Sequence, residues 1–86
     1  MAYKIELTRQ ARKDLAALPQ HIQQWAIDTI DSLALEPRPL GCKQLKGGDG
    51  YSIHRGDYRI VYDIQDNRLL VVVVRATHRK DVYRQL

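Results

Sequence analysis

Apolar positions recur at two different periods along the chain, and the changes of period mark the elements. Tyr3, Ile5 and Leu7 alternate with Lys4 and Glu6, the two-residue repeat of a half-buried strand. Thr8 then stands where it can cap a short helix whose Ala11, Leu15 and Leu18 share one side. Leu18-Pro19 closes that helix, and Pro19 suits the first position of the next one. Ile22, Trp25, Ala26, Thr29, Ile30 and Leu33 follow at 3.6-residue spacing, with Gln23, Gln24, Asp28 and Asp31 mostly outside. That face is predicted as core, Trp25 included. Glu36-Pro37-Arg38-Pro39 stops the helix, because proline cannot continue it and disfavours helical backbone before it.

A Gly-rich connector from Leu40 to Gly50 carries Lys43 and Lys46. Three strands are predicted after it, over residues 51–55, 57–64 and 68–76, with turn signals at Gly56-Asp57 and Asp66-Asn67. The run Leu69 to Val74 is apolar on both faces, which predicts a central strand covered at least partly on each side. Thr77 is placed to cap a closing helix over residues 78–85. The order β-α-α-β-β-β-α specifies a single α+β domain over residues 1–86. It is a small two-layer sandwich, a mainly antiparallel sheet with a helical hairpin packed on one face.

The Gly56-Asp57 turn also sets a register. A two-residue loop pairs Arg55 with Tyr58, His54 with Arg59, Ile53 with Ile60 and Tyr51 with Tyr62. Tyr51, Ile53, Ile60 and Tyr62 then face the helices, while Ser52, His54 and Arg59 share the opposite face. The His54 and Arg59 side chains start about 5 Å apart at Cβ. An open sheet face dressed with polar residues would look the same, so this pairing alone does not assign chemistry.

Charge changes the picture. The 86 residues carry 14 Lys and Arg against 10 Asp and Glu, a net charge of +4. The excess lies wholly beyond Pro37. Such a basic half fits a polyanion such as nucleic acid, or an acidic protein segment. A second basic cluster ends the chain: Arg75, His78, Arg79, Lys80, Tyr83 and Arg84. Arg79 and Tyr83 lie four apart and share one side of a helix. Arginine clamps phosphate with a planar fork, and tyrosine stacks on bases. A solvated terminal helix pinned by Val82 and Leu86 accounts for the same residues.

Other chemistries find little support. One cysteine, Cys42, excludes a disulfide framework and a cysteine-rich zinc site. His21, His54 and His78 are dispersed, without carboxylates at ligand spacing, so no metal site is expected. Gly47-Gly48-Asp49-Gly50 lacks the Lys-Ser/Thr pair and following helix of a phosphate loop, and no cofactor is expected. The longest apolar run is far short of the roughly 20 residues that cross a bilayer. With no signal-peptide pattern at the start, the expected location is cytoplasmic, away from membranes.

Gly56-Asp57-Tyr58-Arg59-Ile60-Val61-Tyr62, the apolar strand after it and His78-Arg79-Lys80-Asp81-Val82-Tyr83-Arg84 resemble a RelE-family toxin of a type II toxin–antitoxin system. The resemblance includes the opening Tyr-x-Ile strand, the helical hairpin and Lys43-x-Leu45-x-Gly47. Gly-Asp-Tyr-Arg is shared across the RelE/ParE superfamily; the His-Arg-x-Asp-Val-Tyr ending is the more specific half. The resemblance implies a metal-independent endoribonuclease that cuts mRNA in the ribosomal A site, where the 2′-hydroxyl attacks the neighbouring phosphate. It implies a RelB-type antitoxin as partner, the ribosome (16S rRNA) and mRNA as substrate, and promoter DNA reached only through the antitoxin. By the same resemblance Arg59 holds the scissile phosphate, Arg79 stabilises its charge and Tyr83 orients the substrate. Lys43 and Lys46 match basic positions that touch ribosomal RNA. Arg55, Arg75, His78, Lys80 and Arg84 join them as candidate RNA- or ribosome-binding residues.

The chain departs from the family on the first hairpin strand, where members carry basic residues at the positions of Ser52 and His54. Ser52 brings no charge. Imidazole is a proton shuttle near neutral pH, which makes His54 the candidate for acid/base work. Two other readings remain open at this point: a ParE-like gyrase poison, and a catalytically weak member that acts as an antitoxin-binding regulator.

Overall fold

The computed structural model of the chain describes residues 2–45 and 50–78. Its elements run in the order β1 (Lys4–Leu7), α1 (Arg9–Ala17), α2 (Gln20–Leu33), β2 (Lys43–Gln44), β3 (Tyr51–Arg55), β4 (Tyr58–Gln65) and β5 (Leu70–His78). They form one five-stranded sheet in the order β1-β5-β4-β3-β2. Among these strands the β1–β5 pairing is parallel and the other three are antiparallel.

The helical hairpin forms as the periodicity predicts. The Thr8 hydroxyl accepts the Ala11 N–H at 3.1 Å and so caps α1. Pro19 sits one position earlier than predicted, as the N-cap of α2, where its carbonyl accepts the Gln23 N–H at 2.8 Å. Ala11, Ala26, Ile30 and Leu33 from the helices pack on Ile60, Tyr62, Val71, Val73 and Ala76 from the sheet. Trp25 is only half-buried at the margin of this core, not inside it.

Three features of the second half differ from expectation. Lys43 and Gln44, read as connector, form β2 opposite Ser52 and Tyr51. Leu69 is not in the strand; it takes a left-handed conformation, φ 49°, after a short 3-10 turn at Asp66–Arg68. Thr77 and His78, assigned to a capped closing helix, continue β5. They do so because β4 begins at Tyr58, which leaves Arg59 and Tyr58 to pair with them. Residues 79–85 of that expected helix lie outside the described residues. Within β5, Leu70, Val71 and Val73 are buried, but Val74 is 38% exposed, so the strand is covered incompletely.

The β4–β5 ladder carries one irregularity. Val61 pairs with Arg75 and Tyr62 pairs with Val73, which leaves Val74 as an extra residue on β5. This bulge stands beside the start of α1. The Thr8 N–H donates to the Val73 carbonyl at 3.0 Å, and the Thr8 hydroxyl donates to the Val74 carbonyl at 2.9 Å.

Candidate functional site

The β3–β4 hairpin brings the candidate residues together. Gly56 has φ 59° at the first loop position, the backbone that a primed two-residue turn requires. The observed register matches the expected one at each position: Arg55 opposite Tyr58, His54 opposite Arg59, Ile53 opposite Ile60 and Tyr51 opposite Tyr62. On β5, Thr77 stands opposite Arg59. One row across the sheet thus reads His54, Arg59, Thr77. The next row on that face reads Lys43, Ser52, Val61.

Lys43, His54, Gly56, Tyr58 and Arg59 line a cavity of about 280 Å³ at the turn end of the hairpin. None of these side chains is acidic, and two of them, Lys43 and Arg59, are cationic. His54 and Lys43 are exposed, whereas Arg59 is half-buried and its Nε is shielded from solvent. Partial burial lowers the local dielectric around this guanidinium, which strengthens its pull on an anion. Ser52, 3% exposed, lies directly opposite Lys43. The neighbouring strand thus brings an ammonium group beside the uncharged Ser52.

The other candidates divide. Arg55 is exposed on the opposite side of the hairpin, level with Tyr58. The His78 ring meets the Tyr58 ring edge-on, with centroids 5.3 Å apart and an interplanar angle of 80°. Arg75 turns to the helices instead. Its Nε donates to Asp14 Oδ2 at 2.7 Å, and its side chain is 13% exposed. Lys46, Arg79, Lys80, Tyr83 and Arg84 lie outside the described residues.

Sequence reasoning did not single out Tyr58, Thr77 or Asp14. Tyr58 entered only as the register partner of Arg55 and as a letter of the Gly-Asp-Tyr-Arg motif, with no role at the site. Asp14 had a clearer signal, since it falls on the stripe of Ala11, Leu15 and Leu18 where an acid needs a partner. Burial raises the Asp14 pKa, but hydrogen bonds from Arg75, Gln10 and the Ala76 N–H, with the Arg75 charge, outweigh it and hold the carboxyl below its ordinary value.

At the other end of the hairpin, Arg38 fixes the connector. Its Nη1 and Nη2 donate to the two oxygens of Asp66 at 3.1 and 2.8 Å, and its Nε donates to the Tyr51 hydroxyl at 3.1 Å. The Tyr3 hydroxyl donates to the same carboxylate at 2.6 Å. These partners hold the Asp66 carboxyl down at about 2, with the Arg38 hydrogen bonds contributing most. Tyr62, fully buried, donates its hydroxyl to the Pro37 carbonyl at 2.8 Å. Burial, and then Cys42, push the Tyr62 pKa up, so it remains a donor.

Comparison with known proteins agrees with this architecture. The family described as ParE toxin of the type II toxin–antitoxin system, parDE, matches residues 5–83. Toxin RelG of Mycobacterium tuberculosis is 36% identical across 99% of this chain and 100% of its own length. The RelBE2 toxin–antitoxin complex of Mycobacterium tuberculosis contains a chain with a TM-score of 0.80 at 33% identity, covering 92% of this chain and 100% of that one. The archaeal RelE–RelB complex of Pyrococcus horikoshii gives the same TM-score at 27% identity, covering 92% of this chain and 97% of that one. With a family match over most of its length and a close relative spanning it end to end, the chain belongs to the RelE/ParE superfamily of type II toxin–antitoxin toxins.

Proposed function

We propose that this toxin is a metal-independent endoribonuclease that cuts mRNA in the ribosomal A site and so inhibits translation and growth. The observation that carries the reading is the juxtaposition of His54, Arg59 and Lys43 around one cavity, with no acidic side chain in its lining among the described residues. In the reaction, the 2′-oxygen forms a bond to phosphorus and the bond to the 5′-oxygen breaks. The 2′-hydroxyl proton passes to a base, and an acid supplies a proton to the departing 5′-oxygen. The products are a 2′,3′-cyclic phosphate and a 5′-hydroxyl end. Arg59 binds the phosphate and meets the charge that grows on its oxygens. Lys43 adds a second cation from β2, standing in for the basic residue absent at Ser52. His54, directly opposite Arg59, moves the proton. The resemblance assigns Arg79 to the same phosphate and Tyr83 to substrate orientation.

The partner in this reading is a RelB-type antitoxin, as in the complexes of its structural neighbours. The surface that suits it is the cleft of about 600 Å³ between the two helices and β1. It is lined by Ile5, Leu7, Leu15, Ile27 and Ile30 together with the charged Lys4, Glu6, Arg12 and Asp31, and among the described residues β1 is the outer strand of the sheet, with one edge available to an added segment.

The test is cleavage of a defined mRNA on purified ribosomes with the codon in the A site, followed by analysis of the end groups. Cyclic phosphate and 5′-hydroxyl ends support the reading, and a 5′-phosphate end contradicts it. The family description also names ParE, which favours one second reading, a gyrase poison. That reading predicts inhibited supercoiling by purified gyrase and intact mRNA.

A further inference from the structure

Three groups at or next to the bulge in β5 are met by α1 and its cap Thr8. The Val74 carbonyl is met by the Thr8 hydroxyl, as described above. The Ala76 N–H donates to Asp14 Oδ2 at 3.1 Å. The Arg75 guanidinium spans the same carboxylate, with Nε on Oδ2 at 2.7 Å and Nη2 on Oδ1 at 3.4 Å. Gln10 Nε2 completes the shell on Oδ1 at 3.0 Å. The Asp14 side chain is 7% exposed and the Arg75 side chain 13%.

This arrangement lies where β5 leaves its pairing with β1. The parallel ladder ends at Leu7 opposite Val73. Beyond it, no strand among the described residues pairs with β5 on that side, and the Ala76 N–H finds the carboxylate instead. The next two residues are Thr77, opposite Arg59, and His78, whose ring packs edge-on against Tyr58. Arg59 and Tyr58 both line the candidate cavity. A bulge bends its strand and re-aims the residues beyond it, so the group that fixes the bulge also fixes the approach of Thr77 and His78 to the cavity.

We infer that Asp14 is a positioning residue: from the helical layer it sets the bulge at Val74–Ala76, and through it the placement of Thr77 and His78 beside Arg59 and Tyr58. Asp14 touches no substrate in this scheme. The inference deepens the nuclease reading and rests on it only for the activity measurement below. Its geometric claim stands or falls without any cleavage.

Three variants of the purified chain separate this role from simple stabilisation. Asp14→Asn keeps the shape and loses the charge, Asp14→Glu keeps the charge and moves it, and Gln10→Ala removes a bond to the same carboxylate without touching the bulge. The readout is the NMR signal of the His78 ring protons, shifted in the wild type by the adjacent Tyr58 ring, with the Thr77 and His78 amide signals. In folded Asp14→Asn and Asp14→Glu these signals move towards the values seen in Tyr58→Leu, whereas in Gln10→Ala they stay. On ribosomes, kcat falls by about 10²-fold with KM unchanged, the scale of a displacement of about 1 Å at a reacting centre. Unchanged His78 and Thr77 signals in folded Asp14→Glu or Asp14→Asn, with only a lower Tm, would overturn the inference. Moved signals without any cleavage by the wild type would leave the positioning intact and refute the nuclease reading instead.

Discussion

Arg38 and Asp66 lie 28 residues apart and meet in a two-pronged ion pair, with contacts of 2.8 and 3.1 Å. The pair ties the connector that leads to β2 against the turn that follows β4, and the Tyr3 hydroxyl adds β1 to the same carboxylate. Lys43 reaches the candidate cavity from this connector. The anchor and the cavity therefore stand at opposite ends of one short path of backbone.

This anchor should make the fold sensitive to acid. The Asp66 carboxyl is held at about 2 in the folded chain, below the ordinary carboxylate value of about 4. A depressed folded pKa contributes stability above the unfolded value, and that contribution disappears as pH falls towards about 2. Asp14 is shifted in the same direction and adds to the effect. Thermal melts from pH 6 to pH 2 should show a steep fall in Tm below about pH 4, and Asp66→Asn should flatten it. An equal slope in the variant would mean that the ion pair does not couple to folding.

His54 should be needed for cleavage. As the group that moves the proton, it cannot be replaced by an amide, and His54→Gln lowers the rate by about 10²–10⁴-fold. Single-turnover rates on ribosomes, with Tm measured beside them, would show it. A folded variant that cuts at the wild-type rate rules His54 out as the proton carrier.

Arg59 should be poorly replaced by lysine. Its Nε is shielded from solvent, and a planar guanidinium fork can meet two phosphate oxygens where a lysine ammonium meets them as a point charge. Arg59→Ala should lose about 10²–10³ in kcat, the usual effect of one preorganised charge at a transition state. Arg59→Lys should recover only part of that loss. Equal Tm values would place the effect in chemistry, while a Tm drop that parallels the activity loss would make Arg59 a structural residue.

Gly50 and Tyr62 should be sensitive for a packing reason. Gly50 has φ 108°, and a Cβ there would stand 3.1 Å from the Tyr62 carbonyl oxygen. Gly50→Ala should therefore cost about 1–3 kcal/mol in denaturant unfolding, the scale of a strained backbone residue. Tyr62→Phe strands the buried end of its bond to Pro37 and should cost a similar amount, about 1–3 kcal/mol. Neutral behaviour of both would contradict the tight closure of the connector over β4.

The parts of this fold that were legible in the sequence are those set by local rules. The Gly56-Asp57 turn determines its own register, so the facing of His54 and Arg59 followed from counting residues outward from the loop. The helix face of Ile22, Ala26, Ile30 and Leu33 followed from period alone. Long-range partners decided the remainder. β2 is two residues long and exists because β3 offers an edge, which no local pattern announces. Thr77 and His78 carry a convincing helix-cap pattern, yet β4 supplies ladder partners and the strand continues. Arg75 belonged to a basic cluster by position, but its acid lies 61 residues away on α1. Trp25 fits the apolar stripe and still falls at its margin, because period specifies a direction and not a depth.

The most direct test of the central claim is induced expression in a bacterial host, with primer extension along an actively translated mRNA. Wild type and Arg59→Ala would be compared on that mRNA and on an untranslated copy. Growth arrest with cuts that keep the reading frame, absent from the variant and from the untranslated copy, is the predicted result. Arrest with intact mRNA would contradict the account and turn attention to gyrase.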